Sequence, residues 1–440
     1  MKLSRRDAVM SALFGAGLVG LRALASGVPA SLLLNPRVAS ADTLPLPKDP
    51  QFLLFATSWS GDPSSCNAPG TYEDPNVLHP ADPSMAGTPI NFGASSVKGA
   101  KVWSQLPANV LSRSCFFHHS TYTLIHVDEG KVLRLMGAAT NGEMLPTMIA
   151  RELAPTLGTV RAQPITLGGI PLEDVYVQGA PQPLLKPTTL ASVLAAPKNG
   201  LGTVDLQKLR DQTLDKLNVY AKTRGKGAQQ NFLDKYATST AQLRTLQQNL
   251  LGTLATIKDD SQDSQIQAAI ILFQMKVTPA VTIHLDFGGD NHFDTGLVNE
   301  TQKHASGVAT LVNMTKALAA AGLQDKVTFC MTNVFGRTLS KSSDPGRNHS
   351  NVHNVSLMIG PAVKGGVVGG IAFNAAVRDY QAQPIASATG KVAADGDIAY
   401  NQTLASVGKT LASACGVPSA NIEQNVLTGK VVPAALTRLT

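Results

Sequence analysis

The chain has 440 residues, with 37 lysines and arginines against 30 aspartates and glutamates, which gives a formal net charge of +7. The first 41 residues hold five of these basic side chains and one aspartate, so residues 42–440 carry 32 basic and 29 acidic side chains. This near balance, without a dense Lys/Arg stripe among aromatic residues, argues against a nucleic-acid partner. The length and the ordinary apolar content predict a large globular core.

Residues 1–41 have the pattern of an export signal. Arg5 and Arg6 precede an apolar stretch at 8–34, and a small-x-small sequence at 39–41 comes directly before Asp42. A basic start, an apolar middle and such a cleavage site define a secretory signal, and the paired arginines indicate the twin-arginine type. An ordinary secretory signal and a retained membrane anchor are the alternatives. We therefore expect an exported protein, periplasmic or secreted, whose mature chain begins near Asp42 and has no transmembrane segment.

Seven short apolar runs predict buried strands. Continuous apolar runs of this length are typical of a sheet that is covered on both faces. Helical patterns at 144–153, 264–276 and 300–322 alternate with them. This alternation predicts an α/β fold, a doubly wound and mainly parallel sheet. The runs are 51–58, 113–120, 163–169, 174–179, 279–287, 326–334 and 354–360.

Three other segments are read from their patterns. Residues 204–258 lack a strand signal and show two amphipathic stretches, which predict a helical hairpin inserted in the α/β domain of residues 42–440, or helices that cover one sheet face. Residues 364–370, KGGVVGG, lack the spacing of a phosphate loop and predict a tight hairpin. The C-terminal part predicts a helix at 400–415.

The four cysteines are far apart in sequence and form no C-x-x-C motif. In an oxidising compartment they allow up to two disulfides, and free buried thiols are the alternative. The cysteines are Cys66, Cys115, Cys330 and Cys415.

Polar side chains follow several predicted strands. Ligands of open α/β sheets bind at the carboxyl ends of the strands, so these residues are the candidates for a site. Seven of the nine histidines lie in or beside strand ends. Aspartate and histidine without cysteine are ligands of zinc, manganese or iron, with calcium favoured only where oxygen ligands dominate. The residues at these strand ends are Asp62, His118, His119, His126, His284, Asp290, His292, Asp294, His349 and His353.

Each candidate also has a structural interpretation. Asp62 stands before a proline and fits a turn, and residues 288–294 fit a glycine turn with aspartate hydrogen bonds. His118 and His119 fit core histidines. Arg337 either pairs with a core carboxylate or binds an anionic group through its two-pronged guanidinium.

Five segments, taken in order, carry a family resemblance. The chain resembles the exported domain-of-unknown-function family 1501, which is grouped with the alkaline phosphatase and sulfatase fold. The resemblance covers most of residues 42–440 and is weakest across 200–260. The segments are SWSGDPSSCNAPG at 58–70, FGGDNHFDTG at 287–296, TNVFGRTL at 332–339, PGRNHSNVH at 345–353 and VKGGVVGG at 363–370.

The resemblance implies an alkaline phosphatase-like α/β domain. It also implies one or two divalent metals at strand ends and a hydroxyl or thiol nucleophile that attacks a phosphate or sulfate ester. Thr121 or Ser120 is expected as the nucleophile from its position after the second strand. The chain departs from the family pattern at Asn333 and Asn348, where acidic residues are expected, so a complete two-metal site is not predicted. The metal ligands that we expect are Asp62, Asp290, His292, Asp294, His349 and His353.

Two functions follow as hypotheses. The first is a metal-dependent hydrolase of phosphate or sulfate esters, whose partner is a small anionic ester and in which Arg337 clamps the anion. The second is a non-catalytic protein that keeps a degenerate hydrolase fold and binds a protein partner in the cell envelope. The surviving aspartates and histidines favour the first, and the two asparagines favour the second. Glycan binding is less favoured because the chain has only two tryptophans.

Overall fold

The computed structural model describes residues 51–437 except for short gaps. The predicted signal at 1–41 lies outside the described residues, as does most of the second amphipathic stretch of the predicted insertion. The gaps are 137–142, 160, 169–174, 178–179, 183, 195–202, 228–229, 231–232, 234–253 and 342–343.

A seven-stranded sheet forms the centre of the described chain. Its strand order is β7-β2-β6-β5-β1-β4-β3. Six strands run in one direction, and only β6 is antiparallel to its neighbours β5 and β2. The predicted α/β class with a mainly parallel sheet is therefore confirmed. The strands are β1 Phe52–Thr57, β2 Ser114–His119, β3 Ile165–Thr166, β4 Ala280–His284, β5 Val327–Met331, β6 Asn354–Ile359 and β7 Gly366–Val368.

Strand β1 shows why the sheet needs covering on both faces. All six of its residues are buried. Leu54 and Ala56 pack into one hydrophobic core, whereas Leu53 and Phe55 pack into the other. Successive side chains of a strand point to opposite faces, so an uninterrupted apolar run requires a packed layer on each side.

Helices supply those two layers. Helices α6 and α7 pack on the face of Leu54, and α2, α3 and α8 pack on the face of Leu53. The helices are α1 Ala108–Leu111, α2 Glu129–Met136, α3 Leu145–Leu157, α4 Pro187–Leu194, α5 Thr203–Arg224, α6 Gln262–Gln274, α7 Val298–Ala320, α8 Thr403–Ala414 and α9 Ser419–Asn425.

In the described part of the chain, five small antiparallel ladders lie outside the central sheet. The second of them contains Tyr176–Val177 of the predicted run 174–179, and these two residues do not join the sheet. They pair Gly87–Asn91 with Ser96–Ala100, Tyr176–Val177 with Ala180–Pro181, Gly336–Arg337 with His349–Ser350, Ile371–Asn374 with Asp379–Ala382, and Ile385–Ala386 with Lys391–Val392.

The prediction of a tight hairpin at 364–370 is wrong. Gly366–Val368 is the edge strand β7 and pairs in parallel with Cys115–Phe117 of β2. The backbone groups on the free edge of β2 need partners, and this short glycine-flanked segment supplies them. The predicted C-terminal helix is confirmed as α8, and α5 lies within the predicted insertion.

All four cysteines are buried and free. The interpretation as buried thiols therefore holds, and the disulfide alternative does not. None of the helices in the described part of the chain combines the length and apolarity that crossing a bilayer requires.

Candidate metal centre

The candidate residues meet at one edge of the central sheet. Strands β1, β2, β4 and β5 all end at this edge because they are parallel. Strand β6 begins there because it runs the opposite way. The connections that follow or precede these strands therefore converge, as expected for the ligand edge of an α/β sheet.

Three side chains from three connections form one cluster. His126 follows β2, Asp290 follows β4, and His349 precedes β6. One ligand atom from each lies within 4.8 Å of those of the other two. Nε2 of His126 is 3.6 Å from Oδ2 of Asp290. Two imidazoles and a carboxylate at this spacing are a ligand set for a divalent transition metal.

Hydrogen bonds fix the tautomer of both cluster histidines. Nδ1 of His126 lies 2.9 Å from the carbonyl oxygen of Trp59, and Nδ1 of His349 lies 2.7 Å from that of Leu124. A carbonyl oxygen only accepts, so each Nδ1 carries the proton and each Nε2 keeps a free lone pair. Nε2 of His349 is buried without a hydrogen-bond partner. This is the arrangement that protein ligands of metals use.

Asp290 also contacts Arg337 and His292. Its Oδ1 lies 3.0 Å from Nη1 of Arg337 and 3.3 Å from Nε2 of His292. Burial favours the neutral acid, but Arg337 and then His292 outweigh it and hold the pKa of Asp290 below its usual value. Asp290 is therefore an anion at neutral pH and can accept a cation.

Arg337 is fully buried and most of its donors point at the backbone. Nε donates to the carbonyl oxygen of Gly61 at 2.6 Å, and Nη2 donates to that of Ser60 at 2.8 Å. These bonds tie the connection after β1 to the one after β5. With Nη1 on Asp290, the guanidinium positions the carboxylate, and its donors are engaged within the protein rather than directed to an anionic ligand.

Aromatic rings hold His349 in place. The ring of Phe335 stacks on it at 4.2 Å between centroids, and the ring of His292 lies 4.7 Å away. His126 meets His349 edge-on at 4.8 Å. Nδ1 of His292 faces the carboxylate of Asp344 at 3.5 Å. Burial lowers the pKa of His349, so its imidazole is neutral and available as a ligand near neutral pH.

A buried ion pair supports the connection that carries His349. The guanidinium of Arg347 binds the carboxylate of Glu300 through two bonds of 2.8 and 3.0 Å, and both side chains are fully buried. The amides of Asn67 and Asn291 donate to the same carboxylate at 2.7 and 2.8 Å. Glu300 thus links the segments that carry Asp290 and His349 to the start of α7.

Asp62 lies beside the cluster rather than within it. Its Oδ1 accepts from the backbone N–H of Gly289 at 2.6 Å, and its own N–H donates to Oδ1 of Asn333 at 3.1 Å. Its Oδ2 is buried without a hydrogen-bond partner. Burial, reinforced by the nearby Asp286, raises the pKa of Asp62 to about 6.

Two other predicted ligands have different contacts. Asp294 accepts the backbone N–H groups of Asn299 and Glu300 at 2.9 and 2.7 Å, which satisfies donors at the start of α7. His353 is fully buried, and its Nε2 lies 3.0 Å from Nδ1 of His118. Burial lowers the pKa of His353 well below its usual value. His118 therefore fits the structural interpretation of a core histidine.

The predicted nucleophiles are buried next to helix α8 and the start of β6. Oγ of Ser120 lies 3.4 Å from Oγ1 of Thr403. The backbone N–H of Thr121 donates to the carbonyl oxygen of Asn351 at 3.1 Å, and its Oγ1 is buried without a hydrogen-bond partner. Neither hydroxyl belongs to the three-residue cluster.

Of the six predicted ligands, two belong to the cluster and His292 touches it. His126 was recognised as a residue after β2 but was not predicted to be a ligand. The signal that could have found it is its place at the same sheet edge as Asp290. A cavity of about 460 Å³ lies between α6 and α7, and no cluster residue lines it; its lining residues are Thr256, Asp263, Ser264, Ile266, Gln267, Asn313 and Met314.

No protein-family model matches the sequence, and no curated protein shows significant similarity to it.

Proposed function

We propose that the protein is a metal-dependent hydrolase of phosphate or sulfate esters with a single-metal centre at His126, Asp290 and His349. The observation that carries the proposal is the pair of backbone hydrogen bonds on Nδ1 of the two histidines. They leave both Nε2 lone pairs free beside an anionic carboxylate.

The donor set fits a transition metal better than calcium. Two imidazole nitrogens and one carboxylate are typical of zinc, manganese or iron sites, whereas calcium takes six to eight oxygens. Three protein ligands leave coordination positions free, which is the feature that separates catalytic from structural zinc sites.

The surrounding residues supply the other requirements of ester hydrolysis. A divalent cation held there would supply Lewis acidity, which polarises an ester oxygen and lowers the pKa of water. Arg337 keeps Asp290 oriented and ionised. Asp62 accepts the N–H of Gly289, next to Asp290, and its Oδ2 has no hydrogen-bond partner; with its pKa raised to about 6, it is the candidate general acid or base. We retain the alkaline phosphatase-like fold and the export of the protein as parts of this proposal.

Two observations favour the alternative of a non-catalytic envelope protein. The positive charge of Arg337 lies 3.0 Å from Asp290 and offsets the charge that would attract a cation. Asn333, where the family resemblance implies an acid, donates and accepts hydrogen bonds with Ser64 and Asp62. A chain that binds no metal would favour this alternative and a protein partner.

Metal content tests the centre. Elemental mass spectrometry of the full chain, purified without chelators, should give about one equivalent of zinc, manganese or iron. His126→Ala and Asp290→Ala should each lose it, whereas the matched control His79→Ala, which removes an imidazole outside the cluster, should keep it. Full occupancy in both cluster variants would show that the metal is held elsewhere.

Hydrolysis tests the reaction. Metal-loaded protein should cleave aryl phosphate or aryl sulfate monoesters, and chelation should abolish the activity until metal is restored. If the protein holds the metal but hydrolyses neither class of ester, it is a metal-binding protein and not the proposed hydrolase.

A further inference from the structure

Exposed apolar side chains lie next in sequence to residues of the candidate metal centre. A lone exposed apolar residue is ordinary, but a group of them beside a polar site is typical of a ligand-binding surface. Here they stand directly beside two histidines of the site in sequence, His126 and His292. The four residues, here called the apolar rim, are Leu124 at 45%, Ile125 at 57%, Val127 at 60% and Phe293 at 86% exposure.

The rim is tied to the cluster by contacts. The carbonyl oxygen of Leu124 accepts the hydrogen bond from His349, so this backbone is part of the site. The ring of Phe293 lies 6.4 Å from that of His292, which in turn lies 4.7 Å from His349. The two rim segments are far apart in sequence, and the ring contacts of His292 and His126 with His349 connect them.

The chemistry of the site and of its rim differ. The cluster and its neighbours present imidazoles and a metal-ligand set, which suit a tetrahedral anion. The rim presents alkyl and aromatic surface, which gains free energy only when it is removed from water. A ligand that satisfies both is an amphiphile whose anionic head meets the cluster and whose apolar chain lies on the rim.

We infer that the substrate is a monoalkyl phosphate or sulfate, an ester whose alkyl chain packs on Phe293 and on residues 124–127. This inference rests on the proposed function for the head group and adds the class of the organic group. The ester is taken either as a free amphiphile or from a lipid surface, because both present the same chain and head.

Binding of a homologous series is the test. Affinities of ethyl, butyl, hexyl and octyl phosphate and sulfate, below their micellar concentrations, should be measured by titration calorimetry on the full chain. Each added methylene that contacts the rim should tighten binding about three- to fourfold. Ile125→Ser and Phe293→Ser should each weaken the binding of octyl phosphate at least tenfold and leave the binding of ethyl phosphate unchanged. Leu427→Ser, at an equally exposed apolar residue away from the site, is the matched control.

The outcomes separate the inference from the function on which it rests. If affinity rises with chain length, the rim variants abolish this rise, and the protein shows no turnover, the rim binds the chain but the protein is not a hydrolase. If the protein turns over esters but its affinity does not depend on chain length, the inference about the rim is wrong and the proposed hydrolase function stands. A rim variant that binds octyl phosphate like the wild type also overturns the inference. So does a sedimentation experiment in which Phe293→Ser dissociates an oligomer without changing ligand binding, because the rim is then an interface between copies. Lipid vesicles with and without an embedded long-chain alkyl phosphate then distinguish a membrane source from a free amphiphile.

Discussion

Nη1 of Arg337 lies 3.0 Å from Oδ1 of Asp290, while Nε and Nη2 of the same guanidinium hold the backbone carbonyls of Gly61 and Ser60. One fully buried side chain therefore sets both the charge and the position of the only carboxylate in the candidate metal cluster. Its role follows from geometry: a guanidinium reaches three acceptors in fixed directions, and a lysine ammonium does not.

Arg337→Lys should keep a positive charge and lose the two carbonyl contacts. We expect the free energy of unfolding to fall by about 2–3 kcal/mol, because buried acceptors lose charged donors. Metal affinity should fall at least tenfold, because Asp290 is no longer held beside the histidines. Urea unfolding and metal titration measure the two effects. The control is Arg134→Lys at an exposed position, and equal effects of both substitutions would contradict the positioning role.

Gly61→Ala should disturb His349 through Phe335. Gly61 has a φ of +60°, and an added Cβ would overlap the ring of Phe335, which stacks on His349. Gly322, with a φ of +67° and open space around its Cβ position, shares the backbone strain without the overlap. Gly322→Ala should cost about 1–2 kcal/mol. Gly61→Ala should lower the free energy of unfolding clearly more than this and should also lower metal occupancy. If the variant retains its metal, Phe335 does not support the centre.

Asp62 should make stability depend on pH. Folding raises its pKa from 3.8 to about 6, so between these values the folded chain binds more protons than the unfolded chain. The contribution of Asp62 to the free energy of unfolding therefore falls as the pH rises from about 4 to about 6 and is constant above. Asp62→Asn removes this loss. At pH 7.5 the free energy of unfolding of the variant should therefore exceed that of the wild type by roughly 1–3 kcal/mol.

At pH 3.5 the variant and the wild type should be alike, because both side chains are then neutral. Urea unfolding at the two pH values, in the presence of a chelator, measures the difference. The same offset at both pH values would mean that the carboxyl is not titrating as described.

Glu300→Gln should be among the most damaging single substitutions. It leaves Arg347 fully buried without its counter-charge and weakens the bonds from Asn67 and Asn291. We expect a loss of about 3–5 kcal/mol in the free energy of unfolding. Asp325→Asn breaks the exposed pair with Arg113 and should cost less than about 1 kcal/mol. Comparable losses for the two variants would show that burial is not what makes the Arg347–Glu300 pair matter.

The strands of the sheet could be predicted because burial on both faces leaves an uninterrupted apolar run in the sequence. The direction of β6 could not, because Asn354–Ile359 reads the same whether the strand is parallel or antiparallel. The edge strand β7 could not be predicted for a related reason. A segment of three residues is too short to show a hydrophobic period, and its pairing with β2 decides its structure.

The sequence could predict the sheet edge at which the site lies, but not the role of each residue there. Asp62, Asp290 and Asp294 all follow strands or precede a helix, yet one is a buried acid, one a cluster member and one a helix cap. Residue type and order do not separate these roles, because each depends on a backbone N–H or a guanidinium from elsewhere in the chain. His126 joins the ligand set because it lies close to Asp290 and His349, and the carbonyl of Trp59 fixes its tautomer.

The reversed direction of β6 has a consequence for how the candidate centre is put together. The chain leaves β5 and enters β6 at the same edge, so residues 332–353 form one excursion whose two ends are anchored side by side. Arg337 and His349 face each other across the small ladder within it. Within the described residues, the two strands of this ladder pair with each other and with no third strand, so we expect them to open and close together. Amide exchange at 336–337 and 349–350 should therefore proceed in step, which makes the assembly of the centre an event that can be timed.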